Sequence, residues 1–198
     1  MPYTLVMKKL ITLVLTSILL ASCSGGEWGV LPEVLSHKEF KTAKAMVREY
    51  DSFIAIQVRD SQWPAGQAYA SYLQFNAKFA KVAGEADNFR PSPTRIIDVI
   101  YDLGTANVKK FLLFDRKCEQ LSIARDGVYL HILEKLSDRR DIFKKLLDNA
   151  SASEGPTITG DWLVIDEYGS IDFSRADERL VFLLNALTIP SIQYQSPL

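Results

Sequence analysis

Two cysteines, Cys23 and Cys118, and two histidines, His37 and His131, are the whole supply of thiol and imidazole in this 198-residue chain. A zinc-type centre needs two or more such ligands at close spacing, and these four stand far apart. Cys118 lies in a stretch where residues 111, 114, 118 and 121 would share one helical face, so it reads as a small buried hydrophobe rather than a nucleophile. His131 falls in an apolar stretch and reads as a satisfied core or boundary histidine rather than a base. A Gly-x-Ser-x-Gly elbow and a phosphate-cradling glycine loop are both missing from the sequence. Asp161, Asp166, Glu167 and Asp172 could offer oxygens to Ca²⁺ or Mg²⁺, but without the acid spacing of an EF-hand they read as charges at a hairpin edge. Asp98 and Asp102 share a helix face at i and i+4, a commonplace surface pair. No catalytic residue, metal or cofactor is therefore assigned. Aromatic residues are more suggestive: Tyr69, Tyr72, Phe75 and Phe79 line much of one helix, with Phe75 off the stripe of Tyr72 and Phe79. Two readings stay open, a helix buried on two sides or an exposed protein-binding face at Tyr69, Tyr72 and Phe75.

The remaining chemistry-bearing residue, Cys23, belongs to a segment with its own logic. Met7-Lys8-Lys9 opens an apolar run, Leu10 to Leu20, broken only by Thr12, Thr16 and Ser17. A positive start and about eleven mostly apolar residues have the layout of a secretory signal, and fall short of the ~20 residues of a transmembrane helix. Met1 to Val6 adds nothing such a signal requires. The run closes with Leu20-Ala21-Ser22-Cys23, which resembles the bacterial lipobox. The resemblance covers residues 7–23. It implies that the Cys23 thiol receives a diacylglyceryl group, that cleavage falls between Ser22 and Cys23, and that the new amino terminus is acylated. Two or more acyl chains would hold the protein at a bilayer essentially permanently. Residue 24 is Ser rather than the Asp that the enterobacterial sorting rule associates with inner-membrane retention, which favours the outer membrane, facing the periplasm. Cys118 would then be left without a disulfide partner.

Composition bounds the rest. The chain is 47% hydrophobic and 24% charged, an ordinary globular balance with enough apolar material for a core. The formal net charge is −1, and loss of residues 1–22 with Lys8 and Lys9 leaves −3. Nucleic-acid binding needs a surplus of clustered Lys and Arg, so no nucleic-acid partner is expected. Lys109-Lys110, Arg139-Arg140 and Lys144-Lys145 all have acids nearby and read as solvated helix faces.

Apolar periodicity supplies the elements. Phe40, Ala43, Val47, Tyr50, Ile54 and Val58 recur in steps of three and four, predicting a helix over 38–59, with Ser36 and Glu39 as its capping box. Trp63-Pro64 breaks the chain before a second helix through Tyr69 to Ala83, and the pair suggests an antiparallel hairpin. Ser92-Pro93 starts a helix closed by Gly104, and Thr105 could cap another through Leu121, although Phe111 to Phe114 also reads as a strand. Asp126-Gly127 carries a hairpin signal, but Leu130, Leu133 and Leu136 favour a helix to Ser137. Ser137-Asp138 would cap the next, with Ile142, Phe143, Leu146 and Leu147. After a polar connector, 151–160, the segments 162–165 and 171–173 read as a β-hairpin with Gly169 in the left-handed position. Ser174 and Asp177 then cap a final helix, and Pro190 ends it.

The expected architecture is mainly α, about six helices with a small C-terminal β-hairpin, or α+β with extra strands near 111–132. Residues 1–22 form the signal, 23–32 a lipidated tether, 33–192 one soluble domain and 193–198 a loose tail. The expected partners are a lipid bilayer, through acylated Cys23, and another protein. The function expected is that of a bacterial envelope lipoprotein that binds this protein, as an immunity or inhibitor protein or as an accessory subunit of an envelope machine. The rival is an acid-dependent hydrolase of envelope polymers.

Overall fold

The computed structural model describes residues 26–58, 62–83, 105–115, 120–161 and 167–188. In chain order the elements are α1 (Leu31–Val34), α2 (His37–Val58), α3 (Ala65–Ala83), α4 (Thr105–Val108), β1 (Leu112–Asp115), β2 (Gln120–Ala124), α5 (Tyr129–Ser137), α6 (Asp141–Ala152), β3 (Thr157–Ile158) and α7 (Ala176–Thr188), with a 3-10 turn at Tyr168–Ser170. The protein is thus mainly helical, with a small antiparallel sheet in the order β1-β2-β3. The expected helix after Ser92 and the tail beyond Pro190 lie outside the described residues.

The organising element is α7. Leu180-Val181-Phe182-Leu183-Leu184 are all buried, so the helix has no solvent side over this stretch and runs through the centre of the molecule. Helix α2 packs against it with Ala43, Met46, Val47, Tyr50 and Ile54, and α3 lies against α2 through Tyr69, Tyr72 and Leu73. On another side β2 and α5 cover α7, and α6 pairs with α5. One continuous apolar cluster runs from Val30 to Leu184. Helix α2 begins as its sequence dictates: Ser36 N–H donates to Glu39 Oε2 at 2.8 Å, and Glu39 N–H approaches Ser36 Oγ at 3.4 Å.

The structure differs from expectation where apolar runs were ambiguous. The helix expected from Thr105 to Leu121 stops at Val108, and the chain continues as β1 and β2. Leu112 pairs with Ile123 and Phe114 with Leu121, putting these side chains on one face, while Leu113 and Ser122 take the other. Period-two pairing therefore wins over the 111–114–118–121 helical spacing, and a short third strand, where Ile123 pairs with Ile158, extends the buried face. Asp126-Gly127 does turn the chain, but into α5, because Tyr129, Ile132, Leu133 and Leu136 are buried at helical spacing. His131 lies on the opposite, exposed face of α5 rather than in the core or at its boundary.

The C-terminal hairpin is corrected as well. Residues 162–166 lie outside the described set, and Ile171–Phe173 is not a strand. Its backbone groups are satisfied by side chains instead: Asp172 N–H donates to Glu178, and Phe173 C=O accepts from Arg179. Gly169 sits in the 3-10 turn and is not left-handed. Neither expected serine cap forms. Ser137 is still helical and its hydroxyl donates back to Glu134 C=O, so α6 starts after an extended Arg140. Ser174 donates its N–H and hydroxyl to Asp172, forming a tight turn ahead of α7. The C-terminal end of α6 is capped from a distance by Arg125, whose guanidinium donates to the carbonyls of Ser151 and Ser153.

Gly127 is required by close approach. Its N–H bonds Ala124 C=O, Val128 N–H bonds Lys110 C=O, and a Cβ at 127 would fall on Lys110 O and Ala124 O. Replacement Gly127→Ala should lower stability by about 1–3 kcal/mol, whereas Gly169→Ala, whose methyl meets nothing, should change it by less than about 0.5 kcal/mol. Urea midpoints check this; equal effects would contradict the packing of this turn.

Candidate functional site

The region richest in chemistry is the first turn of α7, and the sequence sets it up in two steps. Asp172 accepts from Ser174 at 3.1 Å (backbone) and 2.5 Å (hydroxyl), and Arg175 N–H donates to Asp172 C=O at 2.9 Å, which turns the chain into the helix. Asp177, Glu178 and Arg179 follow at once, and because α7 is central all three are buried, at 0%, 1% and 2% exposure. Acids in a first turn are favoured by the helix dipole, but burial still demands direct partners for each charge.

Those partners come from four other parts of the chain. Asp177 Oδ2 accepts from Val30 N–H at 3.0 Å and Arg175 Nη2 at 2.9 Å, with Arg139 at 3.6 Å. Asp177 Oδ1 accepts from Glu178 N–H at 3.0 Å. Glu178 accepts from Asp172 N–H at 2.7 Å and faces Arg140 Nε at 3.3 Å and Arg175 Nε at 3.5 Å. Arg179 donates to Phe173 C=O at 2.8 Å and to Glu27 Oε1 at 2.9 Å. Its Nε lies 3.1 Å from Asp51 Oδ1, close enough for an ion pair though not aligned as a hydrogen bond. Asp51 Oδ1 in turn accepts from Tyr69 Oη at 2.9 Å.

The electrostatics follow from this enclosure. Burial pushes the Asp51 and Glu178 carboxyls up, against the pull of Arg179 and Tyr69 on the first and of Asp172 N–H and Arg140 on the second. The Ser174 hydroxyl holds Asp172 down, with Ser174 N–H, Arg140 and Arg175 adding to it against partial burial. Burial also pushes the Tyr69 phenol well up. These groups are engaged chiefly with one another, with Arg175 Nε and Arg179 Nε in ion-pair range but without aligned hydrogen bonds, so the cluster reads as a fastening.

What it fastens is the N-terminal segment. Ala176 N–H donates to Glu27 C=O at 2.6 Å, beside the Glu27–Arg179 pair and the Val30–Asp177 bond. Gly29, at φ +50°, lies so close that a Cβ would fall on the Asp177 carboxylate. Trp28 packs edge-on against Phe40 at 5.7 Å, with Lys44 Nζ 5.2 Å from a Trp28 ring centroid. Val30 and Leu31 are buried. Residues 27–31 of the expected tether are therefore packed into the fold.

Residues singled out from sequence fall elsewhere. Tyr69 is a core side chain, stacked on Phe173 at 4.8 Å and edge-on to Phe182 at 5.9 Å; Tyr72 is buried against Phe53. Neither offers an exposed binding face, and the Phe75 side chain lies outside the described residues. Glu167 pairs with Lys145 at 2.9 Å, Asp161 accepts from Asn149 at 2.7 Å, and Asp172 belongs to the α7 turn, so these three acids do not converge. Among the described residues no group of three His, Cys, Asp or Glu could hold a metal ion, and no helix is long and apolar enough to cross a membrane. Ser22, Cys23, Asp98, Asp102, Cys118 and Asp166 lie outside the described residues. Arg139 and Arg140, read as a solvated pair, join the cluster. The one sequence signal for it was the run of charges 175–179 leading directly into five consecutive apolar residues.

No protein-family model, no curated protein and no solved structure matches this chain. Its reading rests on its own residues.

Replacing the buried Arg179 by Met would strip the half-buried Asp51 of its cation and should destabilise the domain by about 3 kcal/mol. Adding Asp51→Asn should recover part of that loss, a coupling of about 0.5–3 kcal/mol in a double-mutant cycle of denaturation midpoints. Strictly additive effects would contradict the pairing.

Proposed function

We propose that this protein is a bacterial envelope lipoprotein, anchored through acylated Cys23 and facing the periplasm from the outer membrane, whose domain binds another protein. It serves either as an immunity or inhibitor protein that captures a periplasmic toxin or as an accessory subunit of an envelope machine. One juxtaposition carries the reading: the lipobox-like Leu20-Ala21-Ser22-Cys23 is followed after only Ser24, Gly25 and Gly26 by Glu27, which among the described residues is the first fastened to α7. A segment locked into the core from Glu27 on, four residues behind the proposed acylation residue, suits a domain held close to a membrane anchor.

Binding is favoured over polymer hydrolysis by the state of the acids. Glycoside cleavage by two carboxylates needs both to flank one cleft. Here Asp161, Glu167 and Asp172 are each engaged by a different neighbour.

Replacing Cys23 by Ser should abolish incorporation of labelled fatty acid and release the domain into the soluble periplasmic fraction. A variant that stays membrane-bound beside an unlabelled wild type would sink the anchor. In-cell crosslinking of the lipidated protein should yield one discrete protein adduct that survives Asp161→Asn, Glu167→Gln and Asp172→Asn. A polymer-cleaving activity lost in any of the three would instead establish the hydrolase.

A further inference from the structure

We infer that one face of α2, carrying Lys38, Lys41, Lys44 and Arg48, docks on an anionic phospholipid surface, the same bilayer that holds the acyl chains on Cys23. The inference rests on the anchor proposed above and adds to it an orientation of the domain. At 100° per residue the four cations fall within one arc of α2, opposite Ala43, Met46, Val47, Tyr50 and Ile54, which are buried in the core. Lys38, Lys41 and Arg48 are exposed and Lys44 is half-buried at the Trp28 ring.

Two contrasts set these cations apart. Arg139, Arg140, Arg175 and Arg179 are taken up by the α7 cluster, whereas no ion pair among the described residues engages Lys38, Lys41, Lys44 or Arg48. The acids of the same helix are largely turned aside. Glu39 is bound to Ser36, with Lys110 nearby, and Asp51 is held by Arg179 and Tyr69, leaving Glu49 exposed at the edge of the arc. The chain beyond the anchor carries a formal charge of −3, so this stripe runs against the overall balance.

The length of the linker chooses the occupant. From Cys23 to Glu27 the chain can span at most about 14 Å, at ~3.6 Å per residue. Trp28, one residue further, is already in contact with Lys44, so the stripe begins where the linker enters the fold. A face held that near to a charged surface lies within one or two screening lengths, which are about 8–10 Å at ordinary ionic strength. Tethering makes the docking intramolecular, so the modest attraction of each Lys or Arg for an anionic leaflet is enough to bias orientation. The partly exposed Trp28 ring suits the headgroup region.

The test uses the mature lipidated protein in vesicles of phosphatidylcholine alone or mixed with phosphatidylglycerol, with lysine acetylation read by mass spectrometry. Reactivity of Lys38 and Lys41 should fall several-fold on the anionic vesicles only, and should return at ~1 M salt, where the screening length shrinks to about 3 Å. Exposed Lys144 on α6 should not change. The double substitution Lys41→Glu with Arg48→Glu, at two exposed positions, should abolish the lipid dependence without moving the thermal midpoint. If the protein sediments with both vesicle types yet Lys38 and Lys41 react equally in each, the docking fails and the anchor stands, leaving the stripe to a protein or polymer. A Cys23 peptide without lipid mass overturns both.

Discussion

Burying three consecutive ionisable residues in the first turn of a central helix is the constraint on which the rest of this structure depends. Each of Asp177, Glu178 and Arg179 would cost several kcal/mol if left without partners at near-zero exposure. The fold answers by drawing Val30, Glu27, Asp51, Arg139, Arg140, Asp172 and the Phe173 carbonyl to one point. Removing one member strands the others, so the cluster makes the arrangement of distant segments cooperative. Buried ion pairs replaced as a set by apolar residues of similar volume often cost no stability, whereas removing one partner alone is costly.

The apolar body of α7 works in the same direction. Phe182 meets Tyr50, Tyr69 and Phe173, so the aromatic core and the charge cluster share the helices α2 and α3 and the 171–174 turn. Asn185, further along α7, extends the polar wiring by donating to Tyr129 Oη and accepting from Asp161 N–H. A single helix thereby connects the N-terminal segment at one end with α5 and the 160s at the other.

Much of the helical skeleton was legible in the sequence, for particular reasons. Helix α2 announces itself through its apolar steps and the Ser36–Glu39 box, and α5 through residues that stay apolar at helical spacing past Asp126-Gly127. The sheet was less legible because Phe111 to Phe114 fits both periods, and only pairing with 121–123 decides between them. The expected strand at 171–173 failed because its backbone is satisfied by Glu178 and Arg179, a long-range choice that alternation cannot reveal. The charge cluster was the largest miss. Its decisive contacts join residues about 150 positions apart, such as Glu27 with Arg179, and local charge patterning reads Arg139-Arg140 as solvated and Asp177 as a cap. The aromatic helix shows the converse: of its two open readings, burial is the one realised at Tyr69 and Tyr72.

The central claim is that residues 27–31 are part of the cooperative core. Native-state amide hydrogen exchange of Val30 and Ala176 tests it most directly, because these N–H groups donate to Asp177 and to the Glu27 carbonyl. The account predicts that both exchange only through global unfolding, with protection equal to that of Leu183 in the middle of α7. Exchange of Val30 and Ala176 at the rate of an open loop, while Leu183 stays protected, would contradict it.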